Sequence, residues 1–187
     1  MEERLNQTNY RNSFMDLRLP YFWTSTINNW KHILQEDSYK DIIIQSLQWL
    51  VNNKMIAVYG FTIMPNHVHL IWEQLQMNGK EYPKNSFQKF TAHRFQKSLR
   101  SRNPGLIELF KHQIIDRNFL FWQRDPLAIK IIGRDMAIQK LDYIHHNPLQ
   151  IHWKLVTDPV KYKYSSAYYY ETGIDEFNIL THYMDRF

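Results

Sequence analysis

The stretch His67-Val68-His69-Leu70-Ile71-Trp72 constrains the fold more than any other, because its character alternates residue by residue. Side chains on a strand point to opposite faces in turn, so His67, His69 and Ile71 share one face while Val68, Leu70 and Trp72 share the other. Such a segment belongs in a sheet with one greasy face and one face that carries imidazoles. Met64-Pro65-Asn66 reads as a short turn, and Met55 to Ile63 before it as a strand, so with a strand from about His67 to Gln74 the two make a hairpin. At about 3.3 Å per residue the two histidines start roughly 6.5 Å apart, a gap that side-chain rotation closes onto a shared ion. A bare pair at this spacing is more often a pair of solvent-facing or hydrogen-bonded histidines, so it needs company before it counts as a site.

Around the hairpin the periodicities predict further elements. Tyr21 to Ile27, rich in aromatic and β-branched residues, reads as the first strand. Asp37 or Ser38 caps a helix with apolar residues at Ile42, Ile43, Leu47, Leu50 and Val51, which Asn52-Asn53 ends. A basic helix follows from Asn85 to Ser101, with Phe87, Phe90, Phe95 and Leu99 as its apolar surface. Leu106 to Leu120 is ambiguous between short helix and extended chain, and Leu127 to Ile132 reads as another strand. The helix from Arg134 to His146 has Ala137, Ile138, Leu141 and Ile144 on one face and Gln139, Tyr143, His146 and Asn147 on the other. Pro148 disfavours helical geometry at Asn147, which places that residue at a fraying end. The order suits an α+β fold with a central antiparallel sheet and packed helices. One domain is expected over residues 1–187, with an irregular lead-in to about residue 20 and an unassigned tail from about 171.

Composition narrows the chemistry. There is no cysteine, which removes disulfides, thiolate metal sites and cysteine nucleophiles, so any metal must sit on nitrogen and oxygen ligands. No run approaches the ~20 apolar residues of a membrane span, and a cytoplasmic location without a membrane partner is the default expectation. The net charge of +5 is modest, but seven basic residues against the single acid Glu81 lie between Lys80 and Arg102. This is either a solvated helix face or a phosphate-binding stripe, and in the second case Lys84, Lys89, Arg94, Lys97 and Arg100, with Arg124 further on, are the candidate DNA contacts.

The segment Met64-Pro65-Asn66-His67-Val68-His69-Leu70-Ile71, taken with Leu141-Asp142-Tyr143-Ile144-His145-His146-Asn147-Pro148 downstream, resembles the REP-associated tyrosine transposases of the single-tyrosine HUH transposase superfamily. The resemblance covers roughly Ile56 to Tyr170. It implies a ferredoxin-like sheet, Tyr143 as the nucleophile, and a Mg²⁺ or Mn²⁺ ion on His67, His69 and a polar residue four positions after the tyrosine, here Asn147. Two imidazoles would also suit zinc or nickel. The implied activity is cutting and rejoining of single-stranded DNA at a hairpin through a 5′-phosphotyrosine link, by a dimer or a monomer. A tyrosine phenol ordinarily titrates near pH 10, so its proton must be drawn off as attack occurs. Lys140 and His146 are candidates for that transfer by spacing alone, and His145, on the apolar side of its helix, is expected to pack. The segment after Trp122-Gln123 departs from the family pattern with Asp125-Pro126-Leu127-Ala128.

Two other readings stand beside this one. A non-catalytic single-stranded nucleic-acid module would stack bases on Tyr21, Phe22, Trp23 and Trp72 and hold phosphates with Lys89 and Arg94. A metal-dependent hydrolase would use water, needing His67 and His69 but not Tyr143.

Overall fold

The computed structural model describes residues 13–114 and 117–187. Its strands are β1 (Pro20–Thr26), β2 (Ile56–Ile63), β3 (His67–Gln74), β4 (Lys111–Ile114), β5 (Arg117–Phe119) and β6 (Leu127–Lys130). Its helices are α1 (Asp37–Asn52), α2 (Pro83–Arg102), α3 (Pro104–Ile107), α4 (Arg134–His146) and α5 (Ala167–Thr172), with short 3₁₀ turns between them. The expected hairpin is present, and α4 has the bounds that Gly133 and Pro148 suggest. The ambiguous stretch after residue 105 resolves into α3, a 3₁₀ turn and the small β4–β5 hairpin.

The main sheet is antiparallel in the order β2-β3-β1-β6. With α1 between β1 and β2, and α2 between β3 and β6, this is the ferredoxin-like arrangement. Residue alternation then divides the molecule in two. Trp23, Leu70, Trp72, Phe61 and Ile63 point to one side, where they join Ile43 and Leu47 of α1 and Phe87, Phe95 and Leu99 of α2 in the larger core. Phe22, Tyr59 and Ile71 point to the other side and pack beneath Ala137, Leu141 and Ile144 of α4. Two expected inward residues lie outside these stripes: Ile138 of α4 and Phe90 of α2 are exposed, because each helix meets the sheet along a narrower line than its apolar content offers.

Two local features set α4 against the sheet. In β2 the pairing with β3 passes from Val58↔Trp72 to Gly60↔Ile71, so Tyr59 is the extra residue of a bulge. Beyond it, Gly60 and Thr62 face α4. A Cβ on Gly60 would stand 2.5 Å from Leu141 Cδ2, so any other residue here would have to displace the leucine. Thr62 Oγ1 donates to the Ile144 carbonyl at 2.8 Å, fixing the last turn of α4.

Residues 164–166 pair with β2, through Ile63 N–H to the Tyr164 carbonyl and Ser166 N–H to the Phe61 carbonyl, both 2.9 Å. The tail left unassigned by sequence also joins the fold, where Thr181 N–H reaches the Val58 carbonyl at 2.8 Å. These contacts cover an edge that would otherwise offer unpaired backbone groups. Of the lead-in, residues 1–12 lie outside the described residues, while Met15 is buried and Leu17 bridges to Gln74.

Candidate functional site

His67 and His69 leave β3 on the α4 side and face the corresponding positions of β1, where Thr26 pairs with His67 and Thr24 with His69. Their Nε2 atoms meet at 3.1 Å. The far nitrogen of each ring is occupied: His67 Nδ1 donates to Asn66 Oδ1 at 2.6 Å, and His69 Nδ1 lies 2.8 Å from Thr24 Oγ1. Asn147 Nδ2 donates to His69 Nε2 at 3.1 Å, which requires a lone pair on that atom and hence a proton on Nδ1, given to Thr24. Both Nε2 atoms therefore point at one another, away from the partners that hold Nδ1. This is the orientation that partners behind a metal-binding histidine impose.

Burial reinforces the neutral state. His67 is 8 % and His69 4 % exposed. Removal from water lowers the His67 pKa to about 4, with nearby His152 adding to the effect, and holds His69 well below the ordinary histidine value, with His67 adding. The pair is thus a source of two neutral nitrogen donors and not an imidazolium site for phosphate. Asn147 is the third donor. It keeps helical φ/ψ of −58° and −43° in spite of Pro148 and is 6 % exposed, so it does not fray. An amide flip about its side chain would turn Oδ1 toward the histidines, and that oxygen suits a hard cation. Two imidazoles oriented from behind and an amide that can offer oxygen form a donor set that fits a divalent ion. Among the described residues no group of three or more His, Asp or Glu gathers, at this place or any other, so the two imidazoles would depend on the amide for a third donor.

The donors open into a cleft of about 630 Å³ that also takes in Phe22, Trp30, Lys140, Tyr143, Gln150, His152 and Trp153. Tyr143, one helical turn before Asn147, is 51 % exposed, and its ring centroid lies 5.4 Å from that of His69, edge to face. Phe22 stacks on His69 at 5.4 Å and touches Tyr143 at 5.9 Å, which holds imidazole and phenol in one geometry. Lys140 Nζ stands 5.2 Å over the Phe22 ring, beside the tyrosine.

Not every residue singled out from sequence comes to this place. His146 is exposed, bonds through Nδ1 to the Asp142 carbonyl at 2.8 Å and does not line the cleft. His145 packs as expected, with Nε2 2.8 Å from Ser166 Oγ and its ring against Tyr170. The α2 stripe lies across the sheet from the cleft, since α2 packs on Trp23, Trp72 and Trp122. Within it Lys84 is half-buried and bonds to the Ser13 carbonyl, Lys89 pairs with Glu81 at 3.2 Å, and Arg100 lies over Phe119, while Arg94 and Lys97 are exposed. Arg124 is exposed in the loop between Gln123, which bonds to Thr26, and Leu127 at the cleft wall.

The base-stacking platform of the binding-module reading is not there. Trp23 and Trp72 are fully buried under α1 and α2, and Tyr21 and Phe22 are also buried, because helices cover both faces of the sheet. Conversely, the roles of Thr24, Asn66, Trp30, His152 and Trp153 escaped the sequence. Asn66 carried one signal, its place next to His67.

No protein-family model matches the sequence, and no curated protein matches it either. Among solved structures the chain is similar to a REP-associated tyrosine transposase bound to a REP hairpin, at 15% identity and a TM-score of 0.59, over 88% of this chain and 86% of that one. The likeness is one of fold. Among the described residues no helix is long and apolar enough to cross a membrane.

Proposed function

We propose that this chain cuts and rejoins single-stranded DNA at hairpin-containing sites, through a covalent bond between Tyr143 and a 5′ phosphate. The observation that carries the reading is the placement of the Tyr143 ring 5.4 Å from His69, at the mouth of a cleft where His67, His69 and Asn147 converge. The fold it shares with a transposase bound to a REP hairpin supports the same reading and the choice of substrate.

His67, His69 and Asn147 would hold a Mg²⁺ or Mn²⁺ ion, which would draw charge from the oxygens of the scissile phosphate. The chain's own groups do the rest. Tyr143 Oη attacks phosphorus, the P–O3′ bond breaks, and the 3′ oxygen leaves with the electron pair and takes up a proton. The phenolic proton departs to solvent, to which Tyr143 is open. Lys140, at the same wall, supplies a positive charge for a non-bridging oxygen, and Phe22 keeps phenol and imidazole aligned. Rejoining is the reverse, with a 3′ hydroxyl attacking the phosphotyrosine and returning the phenol.

The test is incubation with labelled single-stranded hairpin DNA and Mn²⁺, followed by denaturing electrophoresis and peptide mapping. The expected outcome is an adduct on the peptide that contains Tyr143, lost in Tyr143→Phe and in the His67→Ala, His69→Ala double variant, and abolished by chelator, while DNA affinity changes by less than about threefold because binding rests mainly on phosphate contacts. Cleavage by Tyr143→Phe would establish water as the nucleophile and sink the transposase-like mechanism. An adduct on Tyr168 instead would assign the chemistry to α5.

A further inference from the structure

The end of the cleft next to His67 carries two tryptophans that the reaction above does not use. The Trp153 ring lies 5.9 Å from that of His67 and is flanked by His152 at 5.3 Å and His32 at 5.6 Å. Trp30 lines the same cleft and is 55 % exposed. A single exposed aromatic is ordinary and would carry nothing alone. The backbone beneath Trp30 is what sets it apart. Asn29 and Trp30 have φ of 54° and 56°, two successive non-glycine residues in the left-handed region. For a residue as bulky as tryptophan this is an outlier, and such strain persists only where neighbours enforce it. The turn is held by backbone bonds from Trp30 N–H to the Ile27 carbonyl at 2.9 Å and from Asn28 N–H to the Phe121 carbonyl at 2.7 Å, and it is tied to the candidate site as well. Asn66 Nδ2 donates to the Trp30 carbonyl at 3.3 Å, and Oδ1 of the same amide accepts from His67 Nδ1. One side chain thus contacts both His67 and the backbone of Trp30.

We propose that Trp30 and Trp153 form a stacking subsite for an unpaired nucleobase, the one adjacent to the phosphate presented to Tyr143. Tyr143 approaches from the His69 side and the tryptophans stand on the His67 side, so a strand laid along the cleft with its phosphate at the histidines brings the neighbouring base to the indoles. Stacking on an indole tolerates any base, since each has a π-face, and it demands that the base be unpaired. The subsite would therefore select single-stranded over duplex DNA at the point of cleavage, in a cleft where Lys140 is the one lysine or arginine among the described residues that line it. It rests on the reading that the cleft takes a DNA strand, but not on Tyr143 acting as the nucleophile.

The test compares binding of the full chain to fluorescein-labelled dT20 and to a 20-residue strand of abasic tetrahydrofuran nucleotides, which keeps the phosphates and lacks the bases. The wild type should prefer dT20 by about tenfold or more, and Trp30→Ala should lose about tenfold on dT20 with no change on the abasic strand. Trp30→Phe should retain most of the preference, which guards against a folding defect. Trp49→Ala, a control at an exposed tryptophan of α1 across the sheet, should bind both strands as the wild type does. No preference in the wild type, equal losses on both strands, or the same loss in Trp49→Ala would each overturn the subsite. Adduct formation at Tyr143, measured in parallel, separates the two ideas. An adduct without base-dependent binding leaves the reaction standing and the subsite overturned, whereas base-dependent loss in Trp30→Ala without any adduct does the opposite.

Discussion

Thr24 and Asn66 decide which nitrogen each histidine shows to the cleft, and neither role was legible in the sequence. The faces on which His67, His69 and Tyr143 lie could be read because strand alternation and helical spacing fix direction locally, whereas the roles given to them and to Asn147 came from the family resemblance. Thr24 faces His69 only through the β1–β3 register, a pairing between residues 45 apart in the chain. The neutral histidines have a consequence for stability. His67 and His145 titrate near pH 4, both chiefly through burial, and His69 well below its ordinary value, whereas an unfolded histidine titrates near 6.5. Between those limits the unfolded chain binds more protons than the folded one, so stability falls as pH drops below about 6.5, levelling off near 4 for His67 and His145. Thermal denaturation should show a lower midpoint at pH 4.5 than at pH 7, by about 10 °C or more at roughly 2–4 °C per kcal/mol for a chain of this size. His145→Gln should remove part of that drop. An unchanged pH slope in that variant would mean that carboxylates alone carry it.

At the scale of elements, α4 matters most, because it carries Lys140, Tyr143 and Asn147 to the histidines of β3. Its ends were legible from Gly133 and Pro148, but its height above the sheet was not, since that depends on Gly60 in a strand more than seventy residues earlier. Gly60→Ala would drive a methyl into Leu141 and Ile144, and overpacking of this kind costs about 1–3 kcal/mol. We expect adduct formation to fall by tenfold or more in a variant that remains folded, because Tyr143 and Asn147 shift with the helix. Pairing it with Leu141→Ala should return part of the activity even though the second change opens a cavity, and a double-mutant cycle measures the coupling. Strictly additive losses would mean that Gly60 does not set the position of α4. The stretch after residue 105 failed for a different reason: its pieces are three or four residues long, too short for any period to show.

Over the whole molecule, the sheet separates a cleft on the α4 side from the basic helix α2 on the other, a division that charge counting along the chain could not reveal. The tail also belongs to this scale. Arg186 Nε meets Glu73 Oε2 at 2.7 Å, and Tyr59 Oη donates to the same oxygen at 3.0 Å, so the last turn of chain supplies the charge that lets a carboxylate sit buried in β3. Arg186→Ala should cost about 1–3 kcal/mol in urea denaturation, since it strips a buried acceptor of its charged partner. Arg186→Lys should recover part of this, and a loss below a few tenths in the alanine variant would reduce the contact to a surface pair. The bulge at Tyr59 ties these faces together. Up to Val58, even-numbered residues of β2 enter the α1 side. After it, odd-numbered ones do, so this one residue changes the parity of the strand. Its deletion would return β2 to unbroken alternation, with Val58 opposite Trp72 and Gly60 opposite Ile71 as they are now, and would remove the phenol that bonds to Glu73. The sides on which Phe61, Thr62 and Ile63 stand are thus held by their pairing with β3, and what the extra residue adds is a second side chain on the α4 face, the Tyr59 phenol next to the space that Gly60 leaves open.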